Sequence, residues 1–173
     1  MNTLLIILLG LIPVAAVLVI TFLFLKKEGQ KETNYLKLEL KKQRQEFFLP
    51  SRLEAYQRAI LLLERIHPNS LVMRLHNPGM PAKMLQGEFL KAIREEYDHN
   101  VAQQLFISPL GWKMVRDAKE ETIKIINIAG NQLEATATGM DLSSKILELV
   151  AEIGELPNEI VVEQLKSELQ GLF

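Results

Sequence analysis

Residues 3–25 form an apolar run without a charged side chain, and the run gives way at Lys26-Lys27. As a helix its 23 residues reach about 34 Å, enough for the roughly 30 Å hydrocarbon core of a bilayer. The pattern therefore predicts a transmembrane helix over residues 3–25. A secretory signal would carry a basic leader and a shorter apolar core ending in a small-residue cleavage site. Here Met1-Asn2-Thr3 has no side-chain charge and the Ala15-Ala16 pair falls in mid-span, so the run is expected to stay on the chain. Gly10 and Pro13 can bend such a helix, a common feature of membrane helices that implies no function by itself.

Beyond residue 25 the pattern changes. Over residues 34–48 the apolar positions Tyr35, Leu36, Leu38, Leu40, Phe47 and Phe48 are surrounded by charge at helical spacing. This predicts a charged linker helix over residues 26–50 with some capacity to self-associate, although the three or four sustained heptads of a long coiled coil are not there. Pro50 is expected to end that helix or to begin the next, because it lacks an N–H donor and suits a first turn.

From residue 51 the apolar positions keep helical period. Leu53, Tyr56, Ile60, Leu63 and Ile66 step by three and four with Ala59 between them, predicting an amphipathic helix over residues 51–66 that stops at His67-Pro68-Asn69. Residues 67–81 are the least regular: Leu71 to Leu75 fits one helical turn or a short extended piece, Asn77-Pro78-Gly79 signals a turn, and the stretch reads as a loop that merely crosses the bundle or as a surface loop open to partners. Leu85, Phe89, Ile93, Tyr97 and Val101 step by four along a helix over residues 82–106. Ser108-Pro109 resembles an N-cap with a first-turn proline. Trp112, Val115, Ala118, Thr122, Ile125, Ala129 and Leu133 carry the next helix to about Thr138, where Gly139 is expected to close it. Asp141 caps a shorter helix through Ile153 with Leu142, Ile146, Leu149 and Val150 inward, and Gly154 ends it. A last helix runs from about Pro157 to Gln170, with Val161, Leu165 and Leu169 on one side. The expected class is all-α: a transmembrane helix (residues 3–25), a linker helix (26–50) and a bundle of about four or five helices (51–173).

Charge adds orientation. Lys26, Lys27 and Lys31 follow the apolar run and no charged side chain precedes it, so the positive-inside rule predicts N-out, C-in topology with the C-terminal part cytoplasmic. The net charge of −1 hides a gradient: residues 26–46 hold seven Lys/Arg against four Glu, and residues 120–173 hold three against ten acidic side chains. The basic part can meet anionic lipid headgroups or be a solvated face laced with Glu28, Glu32, Glu39 and Glu46. The acidic end and the lack of basic-aromatic interleaving argue against nucleic acid. With no cysteine, disulfides, thiolate metal sites and thiol catalysis are excluded.

Candidate chemistry is sparse. Glu-x-x-His occurs twice, as Glu64 with His67 and Glu96 with His99, the spacing of ligand pairs in di-metal helical bundles. Against it, His67 sits at a helix end before Pro68, and His99 lies off the apolar arc of its helix. A second cluster, Glu96 and Asn100 with Gln103 and Gln104, is expected either to converge on a ligand or an arginine, or to form a partly buried network that fixes helix register. No phosphate loop and no nucleophile in a strand-turn-helix setting is legible, so no catalytic residue and no cofactor is expected.

Two strings carry a resemblance: RLEAYQRAILLLERIHP over residues 52–68, and REEYDHNVAQQLFIS over residues 94–108 with Trp112 four residues on. Together they resemble an uncharacterised family of small bacterial proteins with one N-terminal span and a cytoplasmic helical domain. The resemblance implies the architecture and carries no activity with it. The expected function is a membrane-anchored, non-enzymatic interaction or scaffold protein whose partner is another protein or a second copy. A membrane-tethered carboxylate/histidine metalloprotein and a stator or assembly factor of a membrane complex are the alternatives.

Overall fold

The computed structural model describes residues 3–171, with side chains from residue 16 onward. Its elements are all helical: α1 (Thr3–Ile66), α2 (Pro68–Leu75), α3 (Ala82–Asn100), a 3-10 segment (Val101–Leu105), α4 (Pro109–Asn131), α5 (Gly139–Ile153) and α6 (Pro157–Gln170). Among the described residues there is no strand, and an isolated bridge joins Pro81 to Thr138. The chain divides into two compact units, Met1–Leu49 and Pro50–Phe173.

The first unit is helical throughout its described length. Its side chains from residue 16 to Phe48 are exposed apart from a half-buried Glu39, and Val17 to Leu25 carry apolar groups on every side. Among the described residues no helix is long and apolar enough to cross a membrane. Residues 16–25 of the expected span have described side chains, while those of residues 3–15 lie outside. The expected break at Pro50 is absent, because α1 is assigned through it. Proline there deprives the Glu46 carbonyl of its helical donor, and that exposed turn leaves the carbonyl to water.

The second unit has a continuous apolar core. Along α1 it takes Ala55, Tyr56, Ala59, Leu62, Leu63 and Ile66, all at 1% exposure or less. The buried stripe thus includes Ala55 and Leu62, while Leu53 and Ile60 are half-buried. Leu85, Phe89 and Ile93 of α3 meet Trp112, Val115, Ala118, Ile126 and Ala129 of α4. From α5 come Leu142 and Ile146, and from α6 Val161, Val162 and Leu165. Helix α4 packs on α3, α5 and α6, while α5 also packs on α2 and α3.

Several element ends follow their local chemistry. Ser108 caps α4, its Oγ accepting from the Gly111 N–H at 2.9 Å, with Pro109 in the first turn. Gly154 ends α5 at φ 78°, a backbone region that glycine enters without a Cβ clash. Others correct the sequence reading. The irregular residues 67–81 contain a two-turn helix, α2, capped by His67, so the loop shrinks to its last part. Helix α3 ends at Asn100, and Val101, expected inward, is 38% exposed in the 3-10 segment. There the Asn100 side chain donates to the Glu96 carbonyl at 2.8 Å, a local bond that competes with helix continuation.

Helix α4 stops at Asn131, well before Thr138, and Gly139 opens α5. Thr138 is the cap of α5: its N–H donates to Asp141 Oδ2 at 2.8 Å while its Oγ1 accepts from the Asp141 N–H at 3.4 Å, a capping box. A second tie lies across the fold. Ala82 N–H donates to the Ala137 carbonyl at 2.9 Å and Gly139 N–H to the Met80 carbonyl at 2.6 Å, so the segment leading into α5 pairs with residues 80–82.

Candidate functional site

Four polar clusters lie in the second unit. The first joins three distant parts of the chain: Tyr56 of α1 donates through its hydroxyl to Glu168 Oε2 at 3.0 Å, and Ser108 Oγ lies 2.8 and 3.0 Å from the two carboxylate oxygens. Arg52 Nε donates to the Phe106 carbonyl at 3.3 Å beside it. Burial first, then the neighbouring Glu168 carboxylate, pushes the Tyr56 phenol above its ordinary range. The arrangement places a carboxylate at the N-terminus of α4, where the helix dipole favours it, and satisfies each group from within the protein. It ties α1, α4 and α6 together at that end and leaves no free nucleophile.

The second cluster contains the sequence candidate Glu96. Its Oε1 accepts from Arg65 Nε at 2.6 Å and from Arg74 Nη1 at 3.2 Å, with the carboxylate side chain 17% exposed. Arg74 Nη2 also donates to the Arg65 carbonyl at 3.1 Å, which links the last turn of α1 to α2 and α3. Asn100 reaches only the Glu96 backbone. Among the described residues Gln103 and Gln104, on the 3-10 segment, make no side-chain hydrogen bond to the other two. Glu96 is therefore gathered by two arginines, and the four polar candidates do not converge.

His67 sits in a third place, at a cleft of about 220 Å³ lined by Glu64, Asn69, Ser70, Asn158 and Glu159 among others. Its Nδ1 accepts from the Asn69 N–H at 3.3 Å, which assigns the ring proton to Nε2, 3.5 Å from Glu159 Oε1. Beneath the cleft, buried Asn158 donates to the Leu63 carbonyl and accepts from Thr122 Oγ1, both at 3.1 Å. Glu64 and His99 are exposed, and His99 lies on α3. Among the described residues no group of three or more His, Asp or Glu side chains is placed to hold a metal ion. The two Glu-x-x-His pairs thus go different ways, one to the His67 cleft and the other to the Glu96 ion pairs.

The fourth cluster is smaller: Gln86 Nε2 donates to Asn127 Oδ1 at 2.9 Å between α3 and α4. Elsewhere on the second unit, exposed His76 shares a 2.9 Å hydrogen bond with buried Ser143. Sequence reading found the Ser108 cap but missed its partners, since Glu168 is 60 residues from Ser108 and 112 from Tyr56. The one local signal was a polar hydroxyl at an otherwise apolar position of α1.

The fold and these clusters define an all-helical protein whose polar contacts join helices to one another. The chain belongs to a family of unknown function, DUF7935, which matches residues 2–172. No curated protein and no solved structure matches it.

Proposed function

We propose that the protein is a single-pass, membrane-anchored interaction protein without enzymatic activity. Residues 3–25 lie in the bilayer of a bacterial inner membrane, and the helical bundle stands on the cytoplasmic side as a docking or scaffold module. The observation that carries this reading is the apolar belt at the end of that stretch. Val17, Leu18, Val19, Ile20, Phe22, Leu23, Phe24 and Leu25 are each between 57% and 66% exposed. Consecutive positions point to all sides of a helix, and a helix that is apolar all round belongs in a core or a membrane. The apolar residues 3–15 continue the belt in sequence, and Lys26, Lys27 and Lys31 set its cytoplasmic end.

Alkaline carbonate extraction of membranes from cells expressing the full chain tests it. The chain should remain in the pellet, and Leu11→Lys together with Val14→Lys, at the middle of residues 3–25, should release it, since each lysine near a helix centre costs about 2.5 to 3.5 kcal/mol of insertion. Release of the unaltered chain into the supernatant would refute the anchor.

A further inference from the structure

The helix that follows the apolar belt presents an uncovered stripe of its own. Thr33, Leu36, Leu40, Gln43 and Phe47 recur at steps of three, four, three and four residues. That is the a/d seam of a heptad, with Thr33, Leu40 and Phe47 at a and Leu36 and Gln43 at d. Within its unit nothing covers the seam: Leu36 is 59% exposed, Leu40 54% and Phe47 77%. A single helix with such a stripe gains stability chiefly by burying it against another element.

The charges flanking the seam say which partner. Glu32, Glu39 and Glu46 fall at the g positions, and Lys37 and Arg44 at the e positions. In a parallel pair each g side chain reaches the e side chain five residues on in the other helix, which sets Glu32 against Lys37 and Glu39 against Arg44 on both sides of the seam. An antiparallel pair would instead oppose Glu to Glu and Lys to Arg. Within the chain these groups have little else to meet. Glu32, Lys37 and Arg44 have no opposite charge three or four residues away, Glu39 has only Lys42, and among the described residues none of the four forms an ion pair.

We propose that residues 29–49 are a homotypic parallel coiled-coil seam, its partner a second copy of this chain. Gln43 at a d position favours one register, because a shifted pairing would bury its amide against apolar groups. Two heptads are short for a free coiled coil. Here the inference rests on the anchoring reading above: two chains held in one bilayer with the same orientation meet in parallel and at raised local concentration.

The chain has no cysteine, so single cysteines report the seam directly. Thr33→Cys and Gln43→Cys place a thiol on it and Asn34→Cys and Gln45→Cys place one off it, none of them removing an apolar seam residue. With the full chain in isolated membranes under mild oxidation, the seam cysteines should give the disulfide-linked dimer at least about ten times faster than the off-seam pair. In the Gln43→Cys background, Glu39→Lys should slow dimer formation several-fold, and adding Arg44→Glu in the same chain should restore it. Equal rates on and off the seam would overturn the proposal, as would charge reversals without effect or cross-links only to a different protein. Carbonate extraction of the same membranes is scored separately, so loss of the anchor and loss of the seam are read independently.

Discussion

Among the described glycines Gly139 has the least room for a side chain, and a methyl group there tests the pairing of residues 80–82 with 137–139. A Cβ built on Gly139 would run into the Asn77 carbonyl oxygen and lie 3.0 Å from Leu85 Cδ2. The carbonyl belongs to backbone and cannot rotate away, so Gly139→Ala must displace the turn at residues 77–80 or the start of α5. Overpacking of this kind costs about 1 to 3 kcal/mol. The Gly139–Met80 and Ala82–Ala137 hydrogen bonds lie in its path, and each lost bond adds about 1 kcal/mol. Together the expected destabilisation is about 2 to 4 kcal/mol. Gly87 is the control: it is exposed inside α3, and a Cβ there meets nothing within 4 Å. Gly87→Ala should stabilise by about 0.5 to 1 kcal/mol, because alanine loses less backbone entropy in a helix. Trp112, the one tryptophan, is 7% exposed in the core, so its fluorescence follows unfolding of the second unit in denaturant melts of the detergent-solubilised chain. Shifts of the same sign for both variants, or no shift for Gly139→Ala, would refute the close approach.

Ile93, at 0% exposure, should not tolerate a charge: Ile93→Asp is expected to cost several kcal/mol, whereas Lys91→Ala on the exposed face should stay within about 0.5 kcal/mol in the same melt. Tyr56→Phe removes a hydrogen bond to a carboxylate and should cost about 1.5 kcal/mol. Because the folded protein holds the Tyr56 phenol above its unfolded value of about 10, its contribution is complete below that pH and is lost as pH rises through the folded value. The unaltered protein should therefore lose more stability than Tyr56→Phe as the pH is raised past the ordinary tyrosine value of about 10. Elemental analysis of protein prepared without chelators should find no stoichiometric metal, and His67→Gln with His99→Gln should move the thermal midpoint by only a few degrees. One or two metal equivalents lost in that double variant would contradict the geometry.

The core of the bundle was legible in the sequence wherever a helix had a local start or stop. Ser108-Pro109, Gly154 and Pro157 each carry their own chemistry, and the periodic positions Leu85, Phe89, Ile93, Trp112 and Val115 are buried as their spacing implied. What the sequence hid depends on distant partners. Residues 132–137 contain no proline or glycine, and their path after the end of α4 at Asn131 is tied by the pairing of residues 80–82 with residues 137–139. Val101 left its stripe where Asn100 turned its side chain onto the backbone. The Glu96 cluster was half visible: the polar density on α3 was plain, but its arginines come from α1 and α2. The Tyr56–Ser108–Glu168 tie could not be read from any one segment.

Where the bundle lies relative to a membrane decides most directly whether the protein is anchored. A single cysteine at Met73, 83% exposed on α2, makes this measurable in intact spheroplasts with a membrane-impermeant maleimide. An anchored protein with a cytoplasmic bundle gives no labelling from outside, full labelling once the membrane is permeabilised, and the labelled chain still in the carbonate-washed pellet. Labelling of intact spheroplasts, or a labelled chain free in the carbonate supernatant, would contradict that placement.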